Sequence, residues 1–308
     1  MKKVLVVGGA GFLGSHLISK LINNYEVYCL DNYFTGNIEN INQFKSKRNF
    51  HSIDHDIINF FDEKFDYIYN LASPASPKYY QLNPIETIKT NILGSINLLE
   101  LAKKYNSRIM QFSTSEVYGD PKESPQDENY RGDVNPIGIR ACYDESKRIV
   151  ETLFMDYHRT FKVDTKIIRI FNTYGPNMQI DDGRVISNFI VQALKNENIT
   201  VYGLGTQTRS FCYVDDLIEG IIMAMNIDNY HSPINLGNPV EEKIIDIANM
   251  IKKLTNSKST IVYKDLPQDD PKQRCPNINV AKSILNWHPK INLETGLKNT
   301  IKYFEQII

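Results

Sequence analysis

Residues 4–14 read VLVVGGAGFLG, an apolar run that breaks into glycines and resumes as a helix-compatible stretch. Few short segments restrict a chain so much. Gly9-x-Gly11-x-x-Gly14 satisfies the dinucleotide fingerprint, and Gly8 adds the wider Gly-x-x-Gly-x-x-Gly spacing. Glycine serves there for a tight turn, for backbone approach to a pyrophosphate, and for close packing of helix on strand. The free N–H groups and dipole of the helix start then favour an anion. A second apolar run, Val27–Leu30, leads into Asp31, where a carboxylate accepts from an adenosine ribose hydroxyl and repels a 2′-phosphate. Residues 32–37 carry no arginine to bind such a phosphate, so NAD is expected as the cofactor instead of NADP. A merely structural glycine turn would not need this ordered series of strand, glycines, helix, strand and acid.

Strand-like runs at Val4–Val7, Val27–Leu30, Tyr67–Leu71, Ile109–Phe112 and Lys166–Ile170 alternate with helical patterns near 12–23, 84–104 and 143–161. Such alternation predicts an α/β chain with a Rossmann-type doubly wound parallel sheet. After Gly175-Pro176 the texture changes. A helix near 185–196 and a strand at Thr200–Tyr202 follow, while Val214–Met225 (helix) and Ile234–Leu236 (strand) look able to return to the first sheet. Residues 240–308 hold two or three helices around a strand at Thr260–Tyr263 and a loop at 267–276. The expected domains are an NAD-binding one, 1–173 plus about 212–238, and a smaller discontinuous one, about 174–211 plus 239–308.

With 42% hydrophobic and 23% charged residues in 308, the composition is that of an ordinary soluble globular protein. The 35 basic and 36 acidic residues leave a net charge of −1, which argues against nucleic acid or an anionic membrane as partner. No apolar run approaches the ~20 residues of a membrane span. Cys29, Cys142, Cys212 and Cys275 show no metal or disulfide spacing, and the six histidines form no ligand set. The first strand begins at Lys3 with no signal-like stretch before it, so a cytoplasmic protein without a metal is expected.

Tyr143 and Lys147, in YDESK, are four apart and share one helix face. A tyrosine titrating near ~10 is a poor base until a cation lowers it; a neighbouring ammonium and an oxidised nicotinamide both do so. Alone, such a pair is usually a surface feature. Here it follows the glycine fingerprint and a hydroxyl cluster, STSEVYG at 113–119, at a strand exit where open parallel sheets bind ligands.

Together these residues resemble the extended short-chain dehydrogenase/reductase family of nucleotide-sugar enzymes. LASPASP (71–77), TIKTN (87–91), STSEVYGDP (113–121), NPIGIRACYDESKR (135–148), IFNTYGP (170–176), DDGRVISNF (181–189), TVYG (200–203), QTRSF (207–211) and INLGNP (234–239) are similar to its UDP-glucuronate decarboxylase group. The resemblance implies that Tyr143 takes the proton of the sugar 4-hydroxyl while hydride passes to NAD. It also implies that Lys147 holds the tyrosine pKa down and binds the nicotinamide ribose, and that Thr114 bonds the same hydroxyl. The 4-ketone then makes the sugar a β-keto acid, carbon dioxide leaves, and hydride return gives UDP-xylose. The remaining cofactor contacts expected are Phe12, Leu13, Asn32, Thr35, Gly36, Asp56, Ile57, Leu71, Ala72 and Lys89, with Asp56 equally readable as a solvated acid.

The triplet Thr114-Ser115-Glu116 resembles the decarboxylases. In the 4,6-dehydratases the triplet is Thr-Asp-Glu, and in 4-epimerases the Glu position is usually small or apolar. Ser115 is no acid at neutral pH but donates a hydrogen bond. Two roles are open to Glu116, repulsion of the substrate carboxylate or orientation of a proton donor. Arg209 resembles the family arginine that meets the diphosphate or the proton-delivery network, for which its planar fork is suited. Tyr80 resembles the tyrosine near the substrate carboxylate. Asn172, Arg184, Val185 and Tyr202 are expected at the nucleotide-sugar, and Arg140 is expected to fix the loop. Arg131 and Asp133 depart from the group's pattern in a loop near the site. A homodimer built through the helices near 84–104 and 143–161 is implied, and the rival activities are 4-epimerisation and 4,6-dehydration of a nucleotide-sugar.

Overall fold

The computed structural model describes residues 1–266 and 273–308; positions 267–272 of the expected 267–276 loop lie outside the described residues. The first half runs β1 (Lys3–Val7), α1 (Phe12–Leu21), β2 (Glu26–Asp31), α2 (Glu39–Asn42), β3 (Phe50–Asp54), β4 (Tyr67–Asn70), α3 (Pro77–Leu82), α4 (Pro84–Tyr105), β5 (Arg108–Thr114), α5 (Ala141–Phe161) and β6 (Thr165–Ile170). There follow β7 (Thr173–Tyr174), α6 (Val185–Leu194), β8 (Ile199–Tyr202), β9 (Thr208–Ser210), β10 (Cys212–Tyr213), α7 (Val214–Asn226) and β11 (Pro233–Leu236). The chain closes with β12 (Glu241–Lys243), α8 (Ile244–Leu254), β13 (Ile261–Lys264), α9 (Asn279–Leu285) and α10 (Leu293–Ile307).

Seven parallel strands form the central sheet in the order β11-β6-β5-β4-β1-β2-β3. Side chains of β1 alternate between its two faces, as a strand requires. Val4 and Val6 pack with Leu17 and Ile18 of α1 and Leu217 and Ile221 of α7. Leu5 and Val7 pack with Leu98 and Leu99 of α4 and Val150 and Phe154 of α5. This two-sided burial explains the unbroken apolar run at 4–7. Proline opens α4 at its first position, where its missing N–H costs nothing, and Asn106 ends it with φ of 56°.

Strand order reverses between β1 and β4, so a crevice opens beyond their carboxyl ends. The segments after 174 supply the wall facing that crevice. Strands β8 and β13 pair in parallel beside α6 and α8, β9 pairs antiparallel with β12, and β11 and α7 return to the central sheet.

Candidate active site

The crevice is a cavity of about 620 Å³. At its cofactor end, Gly8 has φ of +77°, and a Cβ there would lie 2.9 Å from the Ala72 backbone nitrogen. A Cβ on Gly14 would overlap the Gly8 carbonyl oxygen and approach Gly9 Cα to 2.6 Å. Glycine is therefore required at both positions. Helix α1 starts with Gly11 as its N-cap, with neither a side-chain cap nor an acid in its first turn. Gly11, Phe12, Leu13 and Gly14 thus present an uncapped helix start to the cavity, a donor set suited to a pyrophosphate.

Asp31 is buried, its oxygens accepting from the Ala10 and Tyr33 backbone N–H groups at 2.9 Å each. Burial pushes its pKa up and these bonds pull against it. Each oxygen keeps a lone pair for a ribose hydroxyl. Asn32 donates to Asp56 at 2.9 Å, which joins two of the expected residues at the rim. Thr35, Gly36, Ile57, Leu71 and Ala72 also line the cavity. Lys89 does not: its ammonium pairs with Glu86 at 2.8 Å on the exposed face of α4, and the next residue, Thr90, lines the cavity instead. TIKTN is helical, so adjacent residues of that string point in different directions.

At the other end, α5 brings in Tyr143 and Lys147, both buried. Lys147 Nζ donates to the Phe112 carbonyl at 3.0 Å and stands 5.7 Å from the Tyr143 ring centroid. Burial pushes the Lys147 pKa down to about 7, with Glu151 opposing. Tyr143 is pushed up by burial, and its hydrogen bond with Thr114 is the largest opposing influence. Burial thus outweighs, in Tyr143, the lowering expected from the four-residue spacing to Lys147. Tyr80 stacks on Tyr143, ring centroids 4.9 Å apart and planes 8° apart.

A 3-10 turn, Ser115–Tyr118, follows β5, with Thr114 Oγ1 accepting from the Glu116 N–H at 3.2 Å. This turn buries Ser115 and swings Glu116 into the cavity wall. Glu116 Oε2 accepts from Arg140, and from Arg274 at 3.2 Å. Burial works to raise the carboxyl pKa, but Arg274, Arg140 and Arg209 outweigh it and hold Glu116 below the usual carboxylate range. Arg140, expected only to fix the loop, lines the cavity as a partner of Glu116. Asp144 lies 3.8 Å from Arg140 Nε, and burial, with the charge of Glu116, raises it to about 7.

Arg274 escaped the sequence reading. It is 1% exposed and lines the cavity, yet its Nε and Nη1 have no hydrogen-bond partner among the described residues; the same holds for the Tyr80 hydroxyl. Buried donors left unpaired in a cavity wall are what an anionic ligand would satisfy. Arg209, Asn172, Val185 and Tyr202 also line the cavity, and the Arg209 backbone pairs with that of Arg274. Arg184 also lines it, with Nε and Nη2 donating to Asp182 at 2.5 and 2.6 Å. A strap at 176–184 lines the cavity and is tied down at three points. Gln179 donates to the Thr35 carbonyl at 2.7 Å, Ser76 to the Asp182 carbonyl at 2.5 Å, and Lys78 pairs with Asp181 at 2.5 Å. Arg131 and Asp133 lie off the cavity wall: Asp133 pairs with Lys122 at 2.7 Å, and the Arg131 carbonyl accepts from Arg148 at 2.8 Å.

Comparison with known proteins agrees with this geometry. UDP-glucuronic acid decarboxylase 3 of Arabidopsis thaliana is 52% identical over 297 residues, 96% of this chain and 86% of that protein. UDP-glucuronic acid decarboxylase 1 of Xenopus tropicalis is 50% identical over 306 residues, 99% of this chain and 72% of that one. Among solved structures, UDP-glucuronic acid 4-epimerase from Bacillus cereus in complex with UDP-glucuronic acid and NAD superposes with a TM-score of 0.89 at 30% identity, covering 99% of this chain and 100% of its own. UDP-glucose 4-epimerase with UDP-glucose from Thermotoga maritima gives 0.91 at 30% identity, with 99% of each chain covered. The model of the NAD dependent epimerase/dehydratase family matches residues 4–237. The chain belongs to that family, the extended short-chain dehydrogenases/reductases.

Proposed function

We propose that this chain is an NAD-dependent UDP-glucuronate decarboxylase that converts UDP-glucuronate to UDP-xylose through a 4-keto intermediate. One observation carries the choice of a carboxylate-bearing sugar. Glu116 is set between arginines, and beside it the buried donors of Arg274 and Tyr80 have no partner among the described residues. These donors suit a sugar carboxylate, and the two decarboxylases compared above share half or more of this sequence.

The helix start at Gly11–Gly14 would hold the pyrophosphate of NAD, Asp31 the adenosine ribose and Lys147 the nicotinamide ribose. When bound, NAD would supply the hydride acceptor, and then the hydride donor, for sugar carbon 4. Tyr143 accepts the 4-hydroxyl proton, and Thr114 orients that hydroxyl. The 4-ketone stands β to the carboxylate, so the electrons of the carbon 5–carbon 6 bond flow into an enolate as carbon dioxide leaves. Tyr80 and Arg274 orient the carboxylate so that this bond lies perpendicular to the carbonyl plane. Ser115 donates to the carboxylate or enolate, and Arg209 binds the diphosphate. Carbon 5 then takes a proton from solvent, and as hydride returns to carbon 4 Tyr143 gives its proton back to the 4-oxygen.

The finer readings rest on the same frame. Residues 1–173 plus about 212–238 bind NAD, and about 174–211 plus 239–308 bind the sugar nucleotide. A homodimer is inferred from the apolar outer faces of α4 and α5, where Ile85, Leu93 and Ile149 are 61%, 46% and 42% exposed; sedimentation at two concentrations tests it. The four cysteines are free thiols, which suits a cytoplasmic protein. Among the described residues no helix is long and apolar enough to cross a membrane.

NMR of the product made from UDP-glucuronate, with carbon dioxide release followed in parallel, tests the activity. UDP-xylose with carbon dioxide supports it. UDP-galacturonate without carbon dioxide would make the chain a 4-epimerase instead.

A further inference from the structure

Strand β5 and helix α5 meet through two consecutive residues of the strand. Phe112 offers its carbonyl to Lys147 Nζ at 3.0 Å, and the next residue, Ser113, donates its hydroxyl to Glu151 Oε1 at 2.5 Å. Lys147 and Glu151 are four apart on α5 and therefore stand on one face, a single turn from each other. Arg169 on β6 grips Glu151 with both arms, at 3.0 and 2.7 Å. Arg169 is in turn held by the Tyr118 hydroxyl at 2.9 Å and the Glu128 carbonyl at 3.0 Å. Neither Glu151 nor Arg169 belongs to the cavity wall, so this ion pair lies behind the site.

The charged and titratable groups around Lys147 are Tyr143 and Glu151 on its own helix, with Arg169 of β6 beyond Glu151. Strand β5 presents the Phe112 carbonyl and the Ser113 hydroxyl, and α4 meets this stretch of α5 through neutral Asn91, which bonds Ser146 at 2.8 Å. An ammonium this deeply buried tends to lose its proton, and the charge of Glu151 opposes that loss. We propose that Glu151 is a positioning residue for the reaction. Anchored by Arg169 and Ser113, its carboxylate keeps the Lys147 ammonium charged where water does not reach it. The inference rests on the reading of Lys147 given above.

The test is the pH dependence of kcat for UDP-glucuronate in Glu151→Gln. Without the carboxylate, Lys147 deprotonates at lower pH. The alkaline limb should move down by about one unit, roughly a tenfold loss on that limb, and turnover should recover on acidification. E151D keeps the charge and should leave the limb near its native position. The 15N resonance of Lys147 Nζ, assigned by its absence in K147M, reads the same shift without turnover. If E151Q does not fold, E151L/R169M removes both partners, an exchange that buried pairs tolerate, and must show a shift in the same direction, smaller because the Arg169 charge leaves with the carboxylate. A merely structural Glu151 lowers turnover alike at every pH, and an unmoved limb overturns the proposal. Turnover surviving in K147M would overturn the reading of Lys147 and this inference with it. An inactive K147M beside an unmoved limb overturns this inference alone.

Discussion

Replacing Glu116 by glutamine preserves the outline of the side chain and removes its charge. In the native protein Oε2 accepts from Arg140 and Arg274, and Arg209 adds its field. Exchanging two charge-assisted bonds for bonds to a neutral amide costs about 1 kcal/mol each. Taking the carboxylate away from the buried Arg274 guanidinium moves the loss toward about 3–5 kcal/mol, as when a buried pair is broken. At an unfolding entropy of roughly 2.1 cal/mol/K per residue, a loss of about 2–5 kcal/mol lowers the melting temperature of this chain by about 3–8 °C. The pH dependence has a definite sign. Burial would raise the Glu116 pKa, but the three arginines hold it below 4.5. Its stabilisation is therefore complete above about pH 4.5 and is lost as pH falls through the lower native value. Scanning calorimetry of both proteins from neutral to strongly acid pH should show a gap that closes on acidification. Equal melting at neutral pH, or a gap that persists unchanged into acid, refutes the reasoning. In the same variant carbon dioxide release should fall by about 10²-fold.

Tyr143→Phe removes the proton acceptor, so turnover should drop by about 10²–10⁴-fold while calorimetric affinity for UDP-glucuronate stays within a few-fold. Gly14→Ala forces a Cβ onto the Gly8 carbonyl and Gly9 Cα; purified protein should carry little NAD and lose about 1–3 kcal/mol in urea titration. Asp181→Asn breaks the strap's pairing with Lys78, a bridge whose side chains are 45% and 59% exposed. Such exposed pairs contribute at most about 1 kcal/mol, so stopped-flow release of NAD should quicken by about fivefold or less.

What the sequence made legible was what short spacing encodes. The glycine run, Asp31 and the Tyr143/Lys147 pair are local patterns, and each lies on the wall of one cavity. The partners of Glu116 were harder to read. Arg140 is 24 residues away and was expected only to fix a loop, and Arg274 is 158 residues away, on a segment with no helical or strand period to announce it. Lys89 shows the opposite failure, since membership in a familiar string does not say which side of a helix a residue occupies. The raised pKa of Tyr143 was also illegible, because the four-residue interval to Lys147 says nothing of how deeply the fold buries the phenol.

The exit of β5 divides its work residue by residue. Phe112 takes Lys147, Ser113 takes Glu151, Thr114 takes Tyr143, and Glu116 takes the arginines. Inserting or deleting one residue in this strip would exchange all of these partners at once, because successive side chains leave a strand on opposite faces. Diversification at this position can proceed only by substitution at fixed length. Relatives with different outcomes at carbon 4 should therefore align here without gaps, even where their surface loops do not.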